Sequence, residues 1–250
     1  GAGYSRLGID PEVCERHARR LLQTLPDLSL KLQQVFGREQ AKSDDPDTML
    51  YAGFFDDADR RLMDQVLASS PAELARADAV VLPGVGAFAD AMESLGSRGL
   101  DEAVLESIRA GRPYLGLCLG LQLLYDESDE HGPTRGFGLL EGRVERFPER
   151  APDGTRLHVP HIGWNRVRFR GDHPMCRALR DEDVFYFVHS YRAVPAEAKQ
   201  TVGVAEYGEP FTAAVARDNV FAEQFHPEKS QTAGRPRLDA FRDWVNACRG

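Results

Sequence analysis

The sequence predicts an α/β protein built on a parallel sheet, and three observations point there. From about residue 72, short apolar runs (Ala79-Val80-Val81-Leu82, then 113–118) alternate with amphipathic stretches at 88–95 and 100–110. That is the strand–helix–strand spacing of a right-handed parallel crossover. The second run stops at Cys118, and a helical pattern with Leu119, Leu123 and Leu124 on one face begins at once. Both strand ends, at Pro83 and Cys118, then open on one edge, where open α/β sheets place their sites.

The 250 residues, 42% hydrophobic and 28% charged, are enough for one large or two small domains. No apolar run reaches the ~18 residues of a membrane span, and Gly1-Ala2-Gly3-Tyr4 shows no leader pattern. Four scattered cysteines (Cys14, Cys118, Cys176, Cys248) without a C-x-x-C pair argue for a reducing, cytoplasmic setting and against a thiolate zinc site. A net charge of −8 disfavours bulk nucleic-acid binding, which needs clustered Lys and Arg.

Before residue 72 the pattern differs. Residues 13–25 and 28–36 carry helical spacing interrupted at Pro26-Asp27, and 56–67 reads as a third helix. No strand pattern precedes residue 79. The chain therefore divides into a helical segment, 1–70, and an α/β domain, 71–250, with the junction around Ser69-Ser70-Pro71-Ala72-Glu73-Leu74. After Asp126 the chain turns β-rich, with strands expected at 139–147, 165–169, 184–188 and 201–206. A hairpin is expected from 211–216 and 220–225 around Asp218-Asn219. Residues 238–248 form an amphipathic closing helix with Phe241, Trp244 and Val245 inward.

Cys118 sits at a strand-to-helix corner with Gly116 and Gly120 two residues away on either side. This is the G-x-nucleophile-x-G elbow, in which small flanking residues let the chain turn sharply. The amides of a following helix favour thiolate. The stretch Leu115-Gly116-Leu117-Cys118-Leu119-Gly120-Leu121-Gln122 also fits a buried structural cysteine in a glycine turn. A nucleophilic Cys needs a base, and the base an orienter. Among seven histidines His226 is the best candidate, because Phe225-His226-Pro227-Glu228 ends a strand and i, i+2 spacing lets Glu228 flank the ring. The alternative is an ordinary surface strand end. In Pro83-Gly84-Val85-Gly86 two glycines bracket one residue, so a backbone amide can turn toward an oxyanion, or the segment is a plain tight turn. Gln122 and His189-Ser190-Tyr191 are candidate substrate walls; an exposed helical Gln and a polar strand exit are the plainer readings.

Taken together, Pro83–Gly86, Cys118, His189-Ser190-Tyr191 and His226–Glu228 resemble the triad, class I glutamine amidotransferases, over about residues 72–250. The segments Pro160-His161-Ile162-Gly163-Trp164-Asn165, Tyr207 to Val215 and Gln224-Phe225-His226-Pro227-Glu228-Lys229-Ser230 narrow the likeness. They point to the glutaminase branch that feeds ammonia to a (β/α)₈-barrel cyclase subunit in histidine biosynthesis. The resemblance implies a flavodoxin-like sheet and glutamine as substrate, with no metal or organic cofactor. It implies Cys118 as nucleophile, His226 as acid and base, Glu228 as orienter, and amides of Val85 and Leu119 as the oxyanion hole. Gly84, Gly86, Gln122, His189, Ser190 and Tyr191 would hold glutamine; His161, Trp164, Asn165 and Lys229 would face the cyclase. A related cysteine hydrolase or peptidase is a further reading of the elbow.

Residues 4–68, through Leu50-Tyr51-Ala52-Gly53-Phe54-Phe55-Asp56-Asp57-Ala58-Asp59-Arg60, resemble instead the C-terminal helical region of bacterial exonuclease I, without its nuclease domain. The amidotransferase family's opening strands are missing at this point. The strand 79–82 is then expected to keep an unpaired edge, at roughly 1–3 kcal/mol per buried unpaired amide. Site residues would be retained while folding, docking and activity suffer; the alternative function is an inactive chimera or a helical interaction module.

Overall fold

Successive side chains of a strand point to opposite faces, so a strand covered on both faces needs a continuous apolar run, and such runs organise the sheet of the protein. A computed structural model describes residues 51–54, 64–177 and 183–249. Its first elements are strands β1 (Tyr51–Phe54) and β2 (Asp64–Leu67) and the single turn α1 (Pro71–Leu74), which Ser70 caps by accepting the Glu73 amide. Then come β3 (Ala79–Gly84), helices α2 (Phe88–Ser97) and α3 (Leu100–Arg109), β4 (Tyr114–Cys118) and the one-turn α4 (Leu119–Gln122). The β-rich part runs through β5 (Tyr125–Ser128), β6 (Thr134–Arg135), β7 (Leu140–Arg146), β8 (His161–Arg166) and β9 (Arg168–Phe169). It continues with β10 (Val184–His189), β11 (Tyr191–Pro195), β12 (Thr201–Tyr207), β13 (Glu209–Arg217) and β14 (Val220–Glu223), and α5 (Gln231–Arg249) closes the chain.

The main sheet has the order β2-β1-β3-β4-β14-β13-β12-β9. Its centre is parallel: β4 lies between β3 and β14, with Leu115 opposite Val81 on one side and Phe221 on the other. Val80, Leu82, Tyr114, Val220 and Ala222 face a core shared with Phe88, Leu95, Val104 and Ile108 of α2 and α3. Ala79, Leu115, Leu117 and Phe221 face the other way, onto Phe241, Trp244 and Val245 of α5. A third, aromatic core of Phe147, Phe185, Phe187, Phe211 and Phe225 fills the β-rich part. There, sheets β11-β7-β5-β6 and β10-β8 stand apart from the main one.

The expectation of an unpaired β3 edge is overturned. β1 pairs antiparallel with β3, Tyr51 opposite Val81 and Gly53 opposite Ala79, so β3 has a neighbour on both sides. Residues 64–67, expected in a helix, are strand β2; four residues are too few for periodicity to decide, and an available sheet edge does. Strands β1 and β2 precede residue 71 and pair into the same sheet as β3. The helices read at 13–25 and 28–36, and residues 56–63 of the third, lie outside the described residues.

Smaller differences have local causes. The strand expected at 165–169 divides at Val167, whose buried side chain joins the aromatic core; β8 pairs with β10 and β9 with β12. The pattern after Cys118 is one helical turn, because Leu123 and Leu124 are drawn into the core before β5 begins. α5 starts seven residues ahead of the expected 238 and runs through Pro236. Among the described residues, no helix is long and apolar enough to cross a membrane.

Candidate active site

Cys118 ends β4 with φ 52° and ψ −101°, a strained conformation for a residue with a side chain. Two backbone approaches hold it there. A Cβ on Gly116 would lie 2.5 Å from the Gly120 carbonyl oxygen, and one on Gly120 would lie 1.9 Å from that of Leu82. The Tyr114 hydroxyl donates to the Gly120 carbonyl at 2.7 Å, pinning the corner from inside. Cys118 is 7% exposed. With only one turn following, the helix dipole contributes less than a full helix would.

His226 lies one strand away. Its amide bonds the Tyr186 carbonyl at 2.9 Å, and its own carbonyl accepts the Ser230 hydroxyl at 2.6 Å. Pro227–Lys229 is a 3₁₀ turn rather than extended chain, so the turn, not strand alternation, brings Glu228 round to the ring. Glu228 Oε1 accepts from His226 Nδ1 at 2.7 Å. With Nδ1 taken, interaction with Cys118 falls to Nε2, which is buried and makes no hydrogen bond of regular geometry. Burial disfavours the charged ring, but hydrogen bonding with Cys118 and Glu228 and their charges outweigh it. The imidazole is raised from 6.5 to about 9.

The Pro83–Gly86 turn stands beside the elbow, since Gly84 is in register with Cys118 and a Cβ on Gly84 would lie 3.0 Å from that of Leu119. Gly86 has φ 104° and Val85 is 46% exposed at the surface, whereas the Leu119 side chain is buried. The α2 terminus after this turn is held by Glu130, which accepts the Phe88 amide at 2.7 Å.

Gln122 is not the exposed helical Gln of the plainer reading. It is buried, and its Nε2 donates to the Tyr191 carbonyl and to Gln224 Oε1, both at 3.1 Å. His189 is buried as well. Its Nδ1 donates to the same Tyr191 carbonyl at 2.8 Å, and its Nε2 lies 3.0 Å from His161 Nδ1. A carbonyl only accepts, so in the neutral rings each tautomer follows: His161 Nδ1 donates to His189, and His161 Nε2 accepts from Asn165 Nδ2 at 3.4 Å. Burial lowers His161 to about 4. It also lowers His189 to about 3, against the Tyr191 carbonyl and with the charges of His161 and His226. Ser190 and Tyr191 are half-buried where β10 passes into β11.

Of the residues expected to face a partner, Trp164 and Lys229 are exposed, together with Ile162 and Val184. Asn165 is half-buried and donates to the Glu206 carbonyl at 2.8 Å. His161 is 4% exposed and stacked on Phe187 and Tyr207. Sequence reasoning gave no role to Gln224, which is fully buried with Nε2 3.5 Å from the Cys118 sulfur. Counting back by two from His226 along the strand would have found it. It also missed the buried ion pair between Glu223 and Arg237, 2.6 Å apart. Among the described residues, no group of three or more His, Cys, Asp or Glu is placed to hold a metal ion.

The chain belongs to the class I glutamine amidotransferase family, whose model matches residues 62–242. Its relatives include the imidazole glycerol phosphate synthase subunit HisH of Geobacillus thermodenitrificans, 47% identical over 176 residues, or 70% of this chain and 82% of that one. The subunit of the same name from Aromatoleum aromaticum is 49% identical over 182 residues, 72% and 85% of the two chains. Among solved structures, a glutamine amidotransferase shares the fold with TM-score 0.51 at 20% identity, over 72% of this chain and 85% of that one. The glutaminase domain of Trypanosoma brucei CTPS with bound acivicin does so with TM-score 0.50 at 17% identity, over 71% and 74%.

Proposed function

We propose that this chain is the glutaminase subunit of an imidazole glycerol phosphate synthase, acting in the cytoplasm and paired with a cyclase subunit of (β/α)₈-barrel fold. The observation that carries the reading is the strained Cys118 corner facing an imidazole whose other nitrogen is held by Glu228. The HisH relatives narrow it from the family to this subunit.

In this reading the Cys118 sulfur attacks the side-chain carbonyl carbon of glutamine, giving a tetrahedral oxyanion beside the Val85 and Leu119 amides. Collapse breaks the carbon–nitrogen bond, and the His226 imidazolium gives its proton to the leaving ammonia. His226, now neutral, takes a proton from water, whose oxygen attacks the thioester. Glutamate leaves and the sulfur is regenerated. Gly84, Gly86, Ser190 and Tyr191 hold the substrate. Gln122, of which only Nε2 is engaged within the protein, joins them, while His189, with both ring nitrogens engaged, braces that wall. Trp164, Asn165 and Lys229, with Ile162, form the face toward the cyclase.

The test is glutamine hydrolysis by the chain mixed with a HisH-type enzyme's cyclase partner. Cys118→Ala is expected to remove turnover to background while leaving the fold intact. Undiminished turnover in that variant overturns the reading.

A further inference from the structure

The polarity of one buried hydrogen-bond chain is fixed from a backbone carbonyl, and it ends at the nucleophile. The Tyr191 carbonyl can only accept, so the Gln122 atom 3.1 Å from it must be the amide nitrogen. That same nitrogen lies 3.1 Å from Gln224, which must therefore present its oxygen there. With its oxygen committed, Gln224 has only its NH₂ left to turn toward Cys118, 3.5 Å from the sulfur. Gln122 is 5% exposed and Gln224 fully buried, so no water competes to turn either amide over.

We propose that Gln224 is a further catalytic residue, a neutral donor that holds the Cys118 sulfur in its ionised form and in its attacking orientation, with Gln122 as the positioning residue that keeps this donor facing the sulfur. A hydrogen bond to a charged group is stronger than one between neutral partners, so the contact favours thiolate over thiol. It adds no charge to the pocket. The sulfur is thus held between an imidazolium and an amide N–H. The inference rests on Cys118 being the nucleophile, but it makes its own claim about how the sulfur is ionised.

Iodoacetamide, a small carboxamide electrophile, separates the two. Alkylation of the intact chain is followed on the Cys118 peptide by mass spectrometry from pH 5 to 10.5, with the exposed Cys248 as internal reference. Wild-type Cys118 is expected to outpace Cys248 near neutral pH. Gln224→Met keeps the length and loses the donor; its Cys118 rate at pH 7 should fall about tenfold and converge on wild type at the alkaline end. Gln122→Met, which never touches the sulfur, should show the same shape with a smaller drop. A purely structural role would instead lower the rate by one factor at every pH. Rates indistinguishable from wild type in both variants, or lowered equally throughout, overturn the proposal alone. A wild-type Cys118 no faster than Cys248 overturns the nucleophile and the proposal together. Should Gln224→Met fail to fold, the wild-type protein decides by nuclear magnetic resonance. The Gln224 side-chain amide protons should shift as Cys118 ionises and lose that shift in Cys118→Ala; amide signals indifferent to pH overturn the proposal.

Discussion

His226 keeps its proton to about pH 9 in spite of burial, because the Cys118 sulfur and the Glu228 carboxylate both favour the charged ring. Its folded value lies above the ordinary 6.5, so its contribution to stability is complete below pH 6.5 and is lost as pH rises through about 9. Glu228→Gln removes one of the two partners. Resonance titration of the ring should then give a midpoint below the wild-type value, and glutamine turnover should fall by about 10²–10⁴; an unmoved midpoint would mean Glu228 does not govern the ring. Gly120 is equally exacting for a steric reason. A methyl group placed 1.9 Å from the Leu82 oxygen cannot be relieved by a rotamer change, since the obstacle is backbone. Gly120→Ala should cost at least about 3 kcal/mol in urea denaturation or leave no folded protein.

Among the elements, β14 and α5 are joined by a charge pair in the middle of the molecule. Arg237 and Glu223 are both fully buried; the guanidinium also donates to the Met175 carbonyl and lies 4.9 Å from the Phe221 ring centre. Burial raises the Glu223 carboxyl, and the Arg237 charge opposes it. Arg237→Met leaves that carboxyl without its partner and should cost about 3–5 kcal/mol, while Glu223→Leu with Arg237→Met should cost distinctly less. Urea titration of the three variants checks the order. The same elements show what the sequence could convey. Val80, Leu82, Leu115 and Leu117 announce strands because covered faces demand continuous apolar runs, and the Cys118 corner announces itself through Gly116 and Gly120. Tyr51-Ala52-Gly53-Phe54 announces nothing. It carries no alternation, and its strand exists through pairing with β3, a contact made across 25 or more residues. Gln224 was within reach by its spacing from His226, but its role was not, since its partners Gln122 and Cys118 lie about a hundred residues away.

Across the whole molecule, the aromatic core of the β-rich part encloses two imidazoles that are neutral at ordinary pH. Burial holds His161 at about 4 and His189 at about 3, both below the ordinary 6.5. The sign is opposite to that of His226: their contribution is present above pH 6.5 and is lost as pH falls toward those values. Denaturation at pH 7 and 4.5 should show the protein weaker in acid by about 2–3 kcal/mol per ring, and His161→Phe, which suits a site stacked between Phe187 and Tyr207, should narrow the difference. An acid loss unchanged in that variant would place the sensitivity elsewhere.

The close approach of Gly116, Gly120 and the Leu82 carbonyl has a consequence for how such a protein can diversify. Where main chain rests on main chain there is no unused volume, so no side chain can be enlarged there to reshape what binds. New specificity has to be drawn from the loops and strands around the corner, and the corner itself is inherited whole or lost.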